Sequence, residues 1–541
     1  GPGLAWLDWD ADGWEDLAVG AGAGGKISLF RNNQKDGWER VNSTPWNQPL
    51  ERDALGMALM WKGGVSGLCV ASASYQETSS SPPPTLELFP EAPRTSPLPA
   101  LHSSASITAL ADIDGDGDLD LFVGGRVVGG RYPEPASSAI HRYDSGTWVL
   151  DETNAKALTG FGLVTGGLWS DLDGDGDPDL AVTCEWGTVR VLLNQGGVLK
   201  ESTQELGFAG HSGWWNGLAG GDFDGDGRMD LVAANWGLNG RHALDSSNGV
   251  RVYHGDYDGD GTVDMLEASF EPGRSTWVPE RDLLVIGKAL PFVRDTFSTH
   301  AAFSRASIAD VLGGRASSAG APLAARYFET TLWLNRGGRF EPQPLPMEAQ
   351  MSPVFGISVA DMDGNGTEDL FLTQNFFGTH AQAFRSDAGR GLVVLGDGKA
   401  GFRTLRASES GVSLVGEGRG VAACDFDGDG KVDVAAAMNG AETIVYRNVS
   451  KNAGIRVRVN AGTNNPGGIG VQLRAFSEEE WGPVRELRSG SGTGSQDSLI
   501  QVLHRPGRIT RIQARWPQGK VTEHKPPADL GNSVFLVQPS N

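Results

Sequence analysis

The chain has 541 residues, including 77 glycines and 16 tryptophans, and its formal net charge at neutral pH is −22. This length exceeds one ordinary hydrophobic core, so an array of repeats or two domains is expected. The acidic balance argues against a nucleic-acid partner, because phosphate binding requires a basic surface, and no apolar run approaches the length of a membrane span.

The first element along the chain is a nine-residue acidic loop that returns six more times. Its positions 1, 3, 5 and 9 carry acidic or amide side chains, and position 6 is glycine. The predicted metal ligands of the seven copies are Asp8, Asp10, Asp12 and Asp16; Asp112, Asp114, Asp116 and Asp120; Asp171, Asp173, Asp175 and Asp179; Asp222, Asp224, Asp226 and Asp230; Asp256, Asp258, Asp260 and Asp264; Asp361, Asp363, Asn365 and Asp369; and Asp425, Asp427, Asp429 and Asp433.

These side chains predict calcium sites. Four oxygen-bearing groups within nine residues repel one another unless a hard cation lies between them, and the glycine allows a sharp turn around that cation. An Asp-Gly pair alone can be a simple turn former, but seven copies in the same phase favour calcium. We therefore predict up to seven bound Ca²⁺ ions, which would bring the formal charge to about −8.

The EF-hand is an alternative calcium motif, and the copy at Asp256 carries Glu267 at the twelfth position, as an EF-hand does. The other copies have an apolar residue at that position. Short apolar runs flank the loops, and such runs are typical of buried strands rather than of the helices of an EF-hand. Each loop is therefore predicted to join two strands.

The loops belong to a longer repeat, which consists of an apolar approach, the loop, a strand, and a later strand ending in Asn or Gly. Residues 58–72 show the apolar pattern without the loop, which gives a loop-free second unit. The Asp256 loop follows the preceding loop so closely that it is expected in an outer hairpin of the same, fifth unit. The repeat predicts an all-β fold, a seven-bladed β-propeller over residues 1–449.

Two regions depart from the repeat. Residues 274–328 space apolar side chains at helical intervals, and Pro291 and Gly313 mark breaks between helices. A helical insertion is therefore predicted in the fifth blade. Beyond the last loop, apolar and polar residues alternate, which predicts a small, separate β domain over residues 450–541.

The three cysteines, Cys69, Cys184 and Cys424, lie in apolar runs without metal-site spacing and are interpreted as buried thiols.

The Asp-rich repeats over residues 1–448 resemble the FG-GAP/VCBS repeat propellers that carry a C-terminal ASPIC/UnbV domain, the cartilage acidic protein-like group. The C-terminal part of the resemblance rests on residues 468–471, 488–496 and 516–519, and the insertion is similar to a bacterial branch. The resemblance implies secretion and calcium binding, and it implies no settled biochemical activity. The loop-free second unit departs from a uniform ring of seven sites.

Aromatic and amide side chains outside the repeat positions concentrate in the fifth and sixth units. Tryptophan beside amide donors is a common arrangement for holding sugars or peptides. The candidate ligand-binding residues are Trp214, Trp215, Trp236, Asn239, Arg281, Gln350, Gln374 and Asn375. They predict a pocket between these two units, walled by the insertion and floored by Trp215 and Trp236; alternatively, the rings only fill seams between blades.

The sequence contains no nucleophile elbow, zinc-protease helix or histidine ligand spacing, and its conspicuous aspartates are already assigned to the loops. No catalytic residue is predicted, although propeller faces can support lyases and hydrolases. The predicted function is recognition of an extracellular glycan or protein by a secreted, periplasmic or cell-surface module. The alternatives are a polysaccharide-active enzyme and a structural subunit of a larger cell-surface complex.

Overall fold

The computed structural model consists mainly of antiparallel strands in many separate sheets, which confirms the prediction of a β-rich fold. It describes every residue except 35–36, 76–84, 90–91, 96–97, 99–100, 102, 243–246, 319, 382, 478–479, 491, 529–530, 532 and 540–541.

Four four-stranded units come first, each with its strands in chain order across the sheet. The first sheet contains β1 (Leu4–Leu7), β2 (Asp16–Val19), β3 (Ser28–Asn32) and β4 (Trp38–Arg40). The second contains β5 (Ala54–Lys62), β6 (Val65–Ser72), β7 (Thr85–Phe89) and β8 (Ala92–Thr95). The third contains β9 (Ser103–Ala111), β10 (Asp120–Val128), β11 (Ala139–Asp144) and β12 (Thr147–Leu150), and α1 (Glu152–Leu158) follows it. The fourth contains β13 (Leu163–Ser170), β14 (Asp179–Gly187), β15 (Val189–Asn194) and β16 (Leu199–Glu201), and the short strand β17 (Gly213–Trp214) also pairs with β14.

The fifth sheet is interrupted by a large insertion. Its first two strands are β18 (Leu218–Gly221) and β19 (Asp230–Ala233). The insertion contains a sheet of β20 (Val250–Gly255), β21 (Asp264–Glu271), β22 (Thr276–Pro279) and β23 (Leu323–Ala325), and the helices α2 (Leu283–Ala289), α3 (Pro291–Thr296), α4 (His300–Phe303) and α5 (Ile308–Leu312). The fifth sheet is then completed by β24 (Thr331–Asn335) and β25 (Phe340–Pro344).

The insertion is therefore partly helical and partly sheet. Helices occupy the middle of the predicted helical range, where apolar residues recur at helical intervals. Both ends of that range form strands, β22 and β23, because they pair with the β20–β21 hairpin. The Asp256 loop joins β20 to β21, so it lies in a hairpin within the fifth unit.

The sixth sheet contains β26 (Val354–Ala360), β27 (Asp369–Gln374), β28 (Leu392–Gly396) and β29 (Phe402–Thr404), and α6 (Ala407–Ser410) follows it. The seventh contains β30 (Glu417–Cys424), β31 (Asp433–Asn439) and β32 (Ile444–Tyr446). In six of the seven sheets an acidic loop joins the first strand to the second; the second sheet uses a short turn between Lys62 and Val65 instead.

The seven first strands contact one another in a closed cycle. In order they are β1, β5, β9, β13, β18, β26 and β30, and β30 contacts β1. Apolar side chains fill the space between consecutive sheets, for example Trp169 between the third and fourth sheets and Trp333 between the fourth and fifth. We call the seven sheets the ring, the face that carries the acidic loops the loop face, and the opposite face the far face.

Residues beyond the ring form two further sheets. One contains β33 (Ile455–Val459), β37 (Gln501–Leu503) and β40 (Phe535–Val537). The other contains β34 (Gln472–Ser477), β35 (Glu480–Trp481), β36 (Arg485–Glu486), β38 (Arg511–Arg515) and β39 (Val521–His524). Their apolar faces share one core that includes Val457, Leu473 and Ile512.

A stretch of this C-terminal region leaves its own sheets and runs among the first strands of the ring. It bonds to Leu4 and Trp6 in β1, Leu59 in β5, Leu110 in β9, Trp169 in β13, Gly220 in β18, Phe355 in β26 and Ala423 in β30. A segment that bonds to the first strand of every sheet lies on the axis of the cycle. We call residues 485–498 the axial segment; Ser491 within it lies outside the described residues.

Candidate metal loops and a candidate ligand face

Each acidic loop folds around its own carboxylates. The carboxylate at position 1 accepts a hydrogen bond from the N–H of the position-6 glycine, as Asp112 does from Gly117 at 3.0 Å and Asp361 from Gly366 at 2.7 Å. This folding gathers the oxygens: in groups that include Asp8–Asp10–Asp12, Asp112–Asp114–Asp120, Asp171–Asp173–Asp179, Asp222–Asp224–Asp230 and Asp256–Asp258–Asp260, the candidate ligand atoms lie within 4.8 Å of one another. These groups could hold metal ions.

In the six ring sheets with an acidic loop, the position-9 aspartate also joins the loop to the end of the third strand. Asp179 Oδ2 accepts a hydrogen bond from Leu172 N at 2.8 Å within the loop, and its Oδ1 accepts one from Asn194 N at 2.8 Å at the end of the third strand. The same pair of bonds is made by Asp16, Asp120, Asp230, Asp369 and Asp433. Position 9 is therefore a structural as well as a candidate ligand position.

The asparagine that ends the third strand reaches the neighbouring sheet. Asn194 Nδ2 donates to Ile113 O at 2.8 Å in the preceding loop, and Asn335 Nδ2 donates to Leu172 O at 2.7 Å. Asn448 and Asn32 repeat the contact, and the bond from Asn32 to Phe426 O joins the first sheet to the seventh. The repeat pattern contained these asparagines, but it did not reveal that they join neighbouring sheets.

Burial makes the position-9 aspartates of the six ring loops costly to ionise without a counter-charge. Desolvation raises the pKa of Asp179, Asp369 and Asp433 to about 8, and it raises the pKa of Asp16, Asp120 and Asp230 to about 7. Two carboxylate oxygens at position 1, Asp8 Oδ1 and Asp222 Oδ1, are buried and accept no hydrogen bond from the described residues. A buried oxygen without a donor, inside a group of carboxylates, fits coordination of a hard cation.

Arginines of the ring neutralise part of the loop charge. Arg142 lies 2.6 Å from Asp114, Arg336 lies 2.5 Å from Asp224, and Arg447 lies 2.5 Å from Asp427. In the Asp256 loop, by contrast, none of the four aspartates forms an ion pair with a described residue. The neighbouring Glu267 carboxylate is held by Arg281 at 2.6 Å.

The far face carries a continuous row of aromatic rings, which we call the aromatic belt: Trp186, Trp214, Trp236, Phe376 and Phe355. Consecutive ring centroids are 4.6, 4.2, 5.2 and 6.3 Å apart. The belt runs from the fourth sheet to the sixth, and every ring except the buried Trp186 is half-buried. Four of its five residues are therefore partly accessible to solvent.

An arginine–glutamate pair closes each end of the belt. At one end Glu185 pairs with Arg126 and accepts hydrogen bonds from Tyr132 OH and Trp214 Nε1, both at 2.8 Å. At the other end Arg419 lies 4.0 Å over the Phe355 ring and 3.0 Å from Glu417. Burial opposes ionisation of Glu417, but hydrogen bonds from Phe377 N and Asn439 and the charge of Arg419 lower its pKa overall.

The eight residues predicted to bind a ligand occupy different environments. Trp214 and Trp236 stack on each other in the belt, with their planes 12° apart. Trp215 is fully buried in the core between the fourth and fifth sheets, where no ligand from solution reaches it. It fills a seam, as the alternative interpretation expected.

The amide side chains predicted to bind a ligand form hydrogen bonds to backbone groups of the protein itself. Gln350 is buried and bonds to Thr330 and Leu345 backbone groups; Gln374 bonds to Glu348 O; and Asn375 bonds to Gly389 O and Gly416 O. Asn239 is exposed and donates to Met351 O. Arg281 pairs with Glu267 in the insertion. The belt residues Trp186, Phe355 and Phe376 are not among the eight candidates. Phe355 and Phe376 belong to the sixth unit, where the sequence concentrates aromatic residues, but Trp186 lies in the fourth sheet, and no local pattern shows which strand ends meet across a face.

Among the described residues, no helix has both the length and the apolar character needed to cross a membrane. Residues 171–233, which contain two of the acidic loops, match the family model described as FG-GAP-like repeat, and this match supports the predicted repeat character. No curated protein matches the chain.

Two solved structures show a loose likeness. The V. cholerae biofilm matrix protein Bap1 is 13% identical over 83% of this chain and 87% of its own, with a TM-score of 0.31. The exotype rhamnogalacturonan lyase YesX is 14% identical over 82% of each chain, with a TM-score of 0.27. Superpositions this loose carry no conclusion about the fold or function of the chain.

Proposed function

We propose that this chain is a secreted, calcium-stabilised recognition module that binds an extracellular glycan along the aromatic belt. In this proposal the seven sheets are the blades of a propeller over residues 1–449, and residues 450–541 are a second β domain of the ASPIC/UnbV type. The observation that carries the proposal is the belt itself, a continuous row of half-buried rings across three sheets.

The loops supply stability rather than recognition in this proposal. Each ring loop joins two strands of one blade, and its carboxylates are crowded and partly buried. A bound Ca²⁺ would balance their charge, with the side chains at positions 1, 3, 5 and 9 as its protein ligands; these are aspartates except for Asn365. Ligand binding to the native state alone raises stability by about 2.7 kcal/mol at a hundredfold excess over Kd.

Thermal melting in calcium and in chelator tests the metal part. The midpoint is expected to fall in chelator, because the folded state alone gathers the carboxylates. Mg²⁺ at the same concentration is the control, since its smaller, stricter coordination sphere fits such loops less well. An identical midpoint in calcium and chelator would rule out structural calcium.

A glycan is the favoured ligand because the belt is a row of partly exposed aromatic residues with hydrogen-bonding groups at both ends. Aromatic rings pack against the C–H groups of sugars, while flanking polar groups bond their hydroxyls. Arg126 and Tyr132 at one end and Asn439 at the other provide such groups.

A panel of extracellular polysaccharides, scored for both binding and cleavage products, tests the recognition part. Trp236→Ala is expected to weaken binding about fivefold or more, since an aromatic contact of this kind contributes about 1 to 3 kcal/mol. Trp277→Ala is the control, because Trp277 is also half-buried but packs under Arg251 in the insertion. Equal binding by the two variants would contradict the belt site, and released products would favour the enzyme alternative.

A further inference from the structure

The C-terminal region contacts the ring loops at one repeated atom. Arg515 Nη1 lies 3.0 Å from Asp171 Oδ2, and Arg456 Nε lies 3.0 Å from Asp425 Oδ2. His504 Nδ1 lies 3.2 Å from Asp361 Oδ2, and Val484 N donates to Asp222 Oδ2 at 2.9 Å. In all four loops the contacted atom is Oδ2 of the position-1 carboxylate, so the C-terminal region meets successive blades in the same way.

The same region also bonds to the loop backbone. Arg515 Nη2 donates to Gly174 O at 2.7 Å, Gln518 Nε2 donates to Gly115 O at 2.8 Å, and Asn452 Nδ2 donates to Gly364 O at 3.1 Å. These three carbonyls occupy position 4 of their loops. The C-terminal region therefore covers the loop face by contacting both the carboxylates and the turns that carry them.

Two of these contacts lie between side chains that are almost fully buried. The Asp425 and Arg456 side chains are 1% and 8% exposed, and those of Asp361 and His504 are 0% and 3% exposed. The Arg456–Asp425 ion pair is therefore shielded from water and interacts more strongly than a surface pair. Asp222, the fourth carboxylate, keeps its buried Oδ1 without a donor while its Oδ2 is bonded by Val484. That arrangement leaves one oxygen of the carboxylate free for a cation.

We propose that the C-terminal domain supplies a built-in counter-charge to two loops of the ring: Arg515 and Arg456 hold the position-1 carboxylates of Asp171 and Asp425 when calcium is scarce and weaken calcium binding there when it is present. This inference rests on the calcium loops proposed above. The Asp256 loop, which forms no ion pair with a described residue, is the internal reference, because its calcium affinity depends on no such partner.

The sign of the effect follows from charge. Arginine and Ca²⁺ are both attracted by the same group of carboxylates and repel each other, so each lowers the affinity of the loop for the other. Such coupling is reciprocal: the amount by which the arginine lowers calcium affinity equals the amount by which calcium weakens the arginine contact. Removing the arginine should therefore tighten calcium binding and destabilise the calcium-free protein.

Arg515→Gln in the full-length chain tests the proposal, because Arg515 is partly exposed and the change keeps a polar side chain. Arg511→Gln is the matched control: Arg511 lies in the same strand, β38, but pairs with Glu523 inside the C-terminal domain. Arg515→Lys keeps the charge. Hydrogen exchange of residues 171–179 and 256–264, followed by mass spectrometry across a calcium titration, reports each loop separately.

In Arg515→Gln the calcium midpoint of residues 171–179 is expected to fall about fivefold, the lower end of typical coupling. The midpoint of residues 256–264 should stay constant, exchange of residues 171–179 in chelator should accelerate, and Arg515→Lys should behave like the wild type. The inference is overturned if the calcium midpoint of residues 171–179 stays constant or rises in Arg515→Gln. It is also overturned if that midpoint falls equally in Arg511→Gln. Absence of any calcium response in the wild-type loops overturns the calcium proposal and this inference together.

Discussion

Asn335 connects the fourth and fifth sheets through one buried amide. Its Nδ2 donates to Leu172 O at 2.7 Å and to Met229 O at 3.2 Å, and the side chain is almost fully buried. Asn335→Ala leaves these carbonyls without a donor, so unfolding free energy should fall by about 2 to 3 kcal/mol. Urea unfolding measures the loss. Asn239→Ala removes an exposed amide that makes one bond and should cost less than about 0.5 kcal/mol; equal losses would contradict the role of Asn335.

His141 makes the ring sensitive to acid. It is fully buried in β11, its two ring nitrogens have no hydrogen-bond partner among the described residues, and burial lowers its pKa to about 4. A histidine with a lowered folded-state pKa stabilises the protein fully above its unfolded pKa of about 6.5, and this contribution is lost as the pH falls towards 4.

Urea unfolding at pH 7 and pH 4.5 should therefore show a smaller loss of stability in His141→Leu than in the wild type. The expected difference is about 2 to 3 kcal/mol, because one unit of pKa corresponds to about 1.4 kcal/mol. The exposed His300 provides the control, since His300→Gln should follow the wild type. Identical acid sensitivity in all three proteins would exclude His141 as the source.

Residue identity alone does not determine the environment of a residue, as Trp214 and Trp215 show. Both were predicted to face a ligand. In extended chain, successive side chains point to opposite sides, so Trp214 joins the belt while Trp215 fills the core between two sheets. The sequence locates an aromatic pair near a face, but the register of a two-residue strand decides which ring is accessible.

Elements were predictable where their signal is local. The acidic loops carry ligands and turn residues within nine positions, and each described loop joins adjacent strands as expected. The helices of the insertion follow from local periodicity. The strands at its two ends do not, because β22 and β23 exist only through pairing with β20 and β21. The axial segment is less predictable still, since its partners lie hundreds of residues away.

Glycines shape the axial segment, and Gly494 shows why. It has a φ of +72°, and a Cβ there would lie 2.6 Å from Gly56 Cα. Gly494→Ala should therefore displace the segment from the axis. Gly440 has the same φ of +72° but no atom within 4 Å of the added Cβ, so Gly440→Ala shares only the backbone cost of about 1 to 2 kcal/mol.

Thermal melting and limited proteolysis compare these two variants. Gly494→Ala should melt well below Gly440→Ala, and its residues 485–498 should become cleavable while those of Gly440→Ala stay protected. If both variants melt together and resist cleavage alike, the close packing of the axial segment does not contribute to stability.

The two faces of the whole molecule have different surroundings. The loop face is covered by the C-terminal region, through contacts to loops in five of the sheets. The far face carries the aromatic belt, and the tip of the axial segment reaches it where Thr493 Oγ1 donates to the backbone of Phe355, a belt residue. At its other end Glu486 Oε1 accepts a hydrogen bond from Asp171 N at 3.2 Å, so one segment connects an acidic loop to the proposed ligand face.

We also expect the ring to depend on the axial segment for its stability. The segment bonds to the first strand of all seven sheets, so a chain ending at residue 449 would leave those strands with unpaired polar groups around an empty axis. We expect residues 1–449 alone to melt at least about 10 °C below the full chain, with broad unfolding.

The control is a full chain with a protease site inserted after the exposed Val449, cleaved after folding. It keeps the axial segment in place and should melt like the intact protein, as followed by circular dichroism; equal melting of the truncated and cleaved forms would show that the ring is stable without the segment.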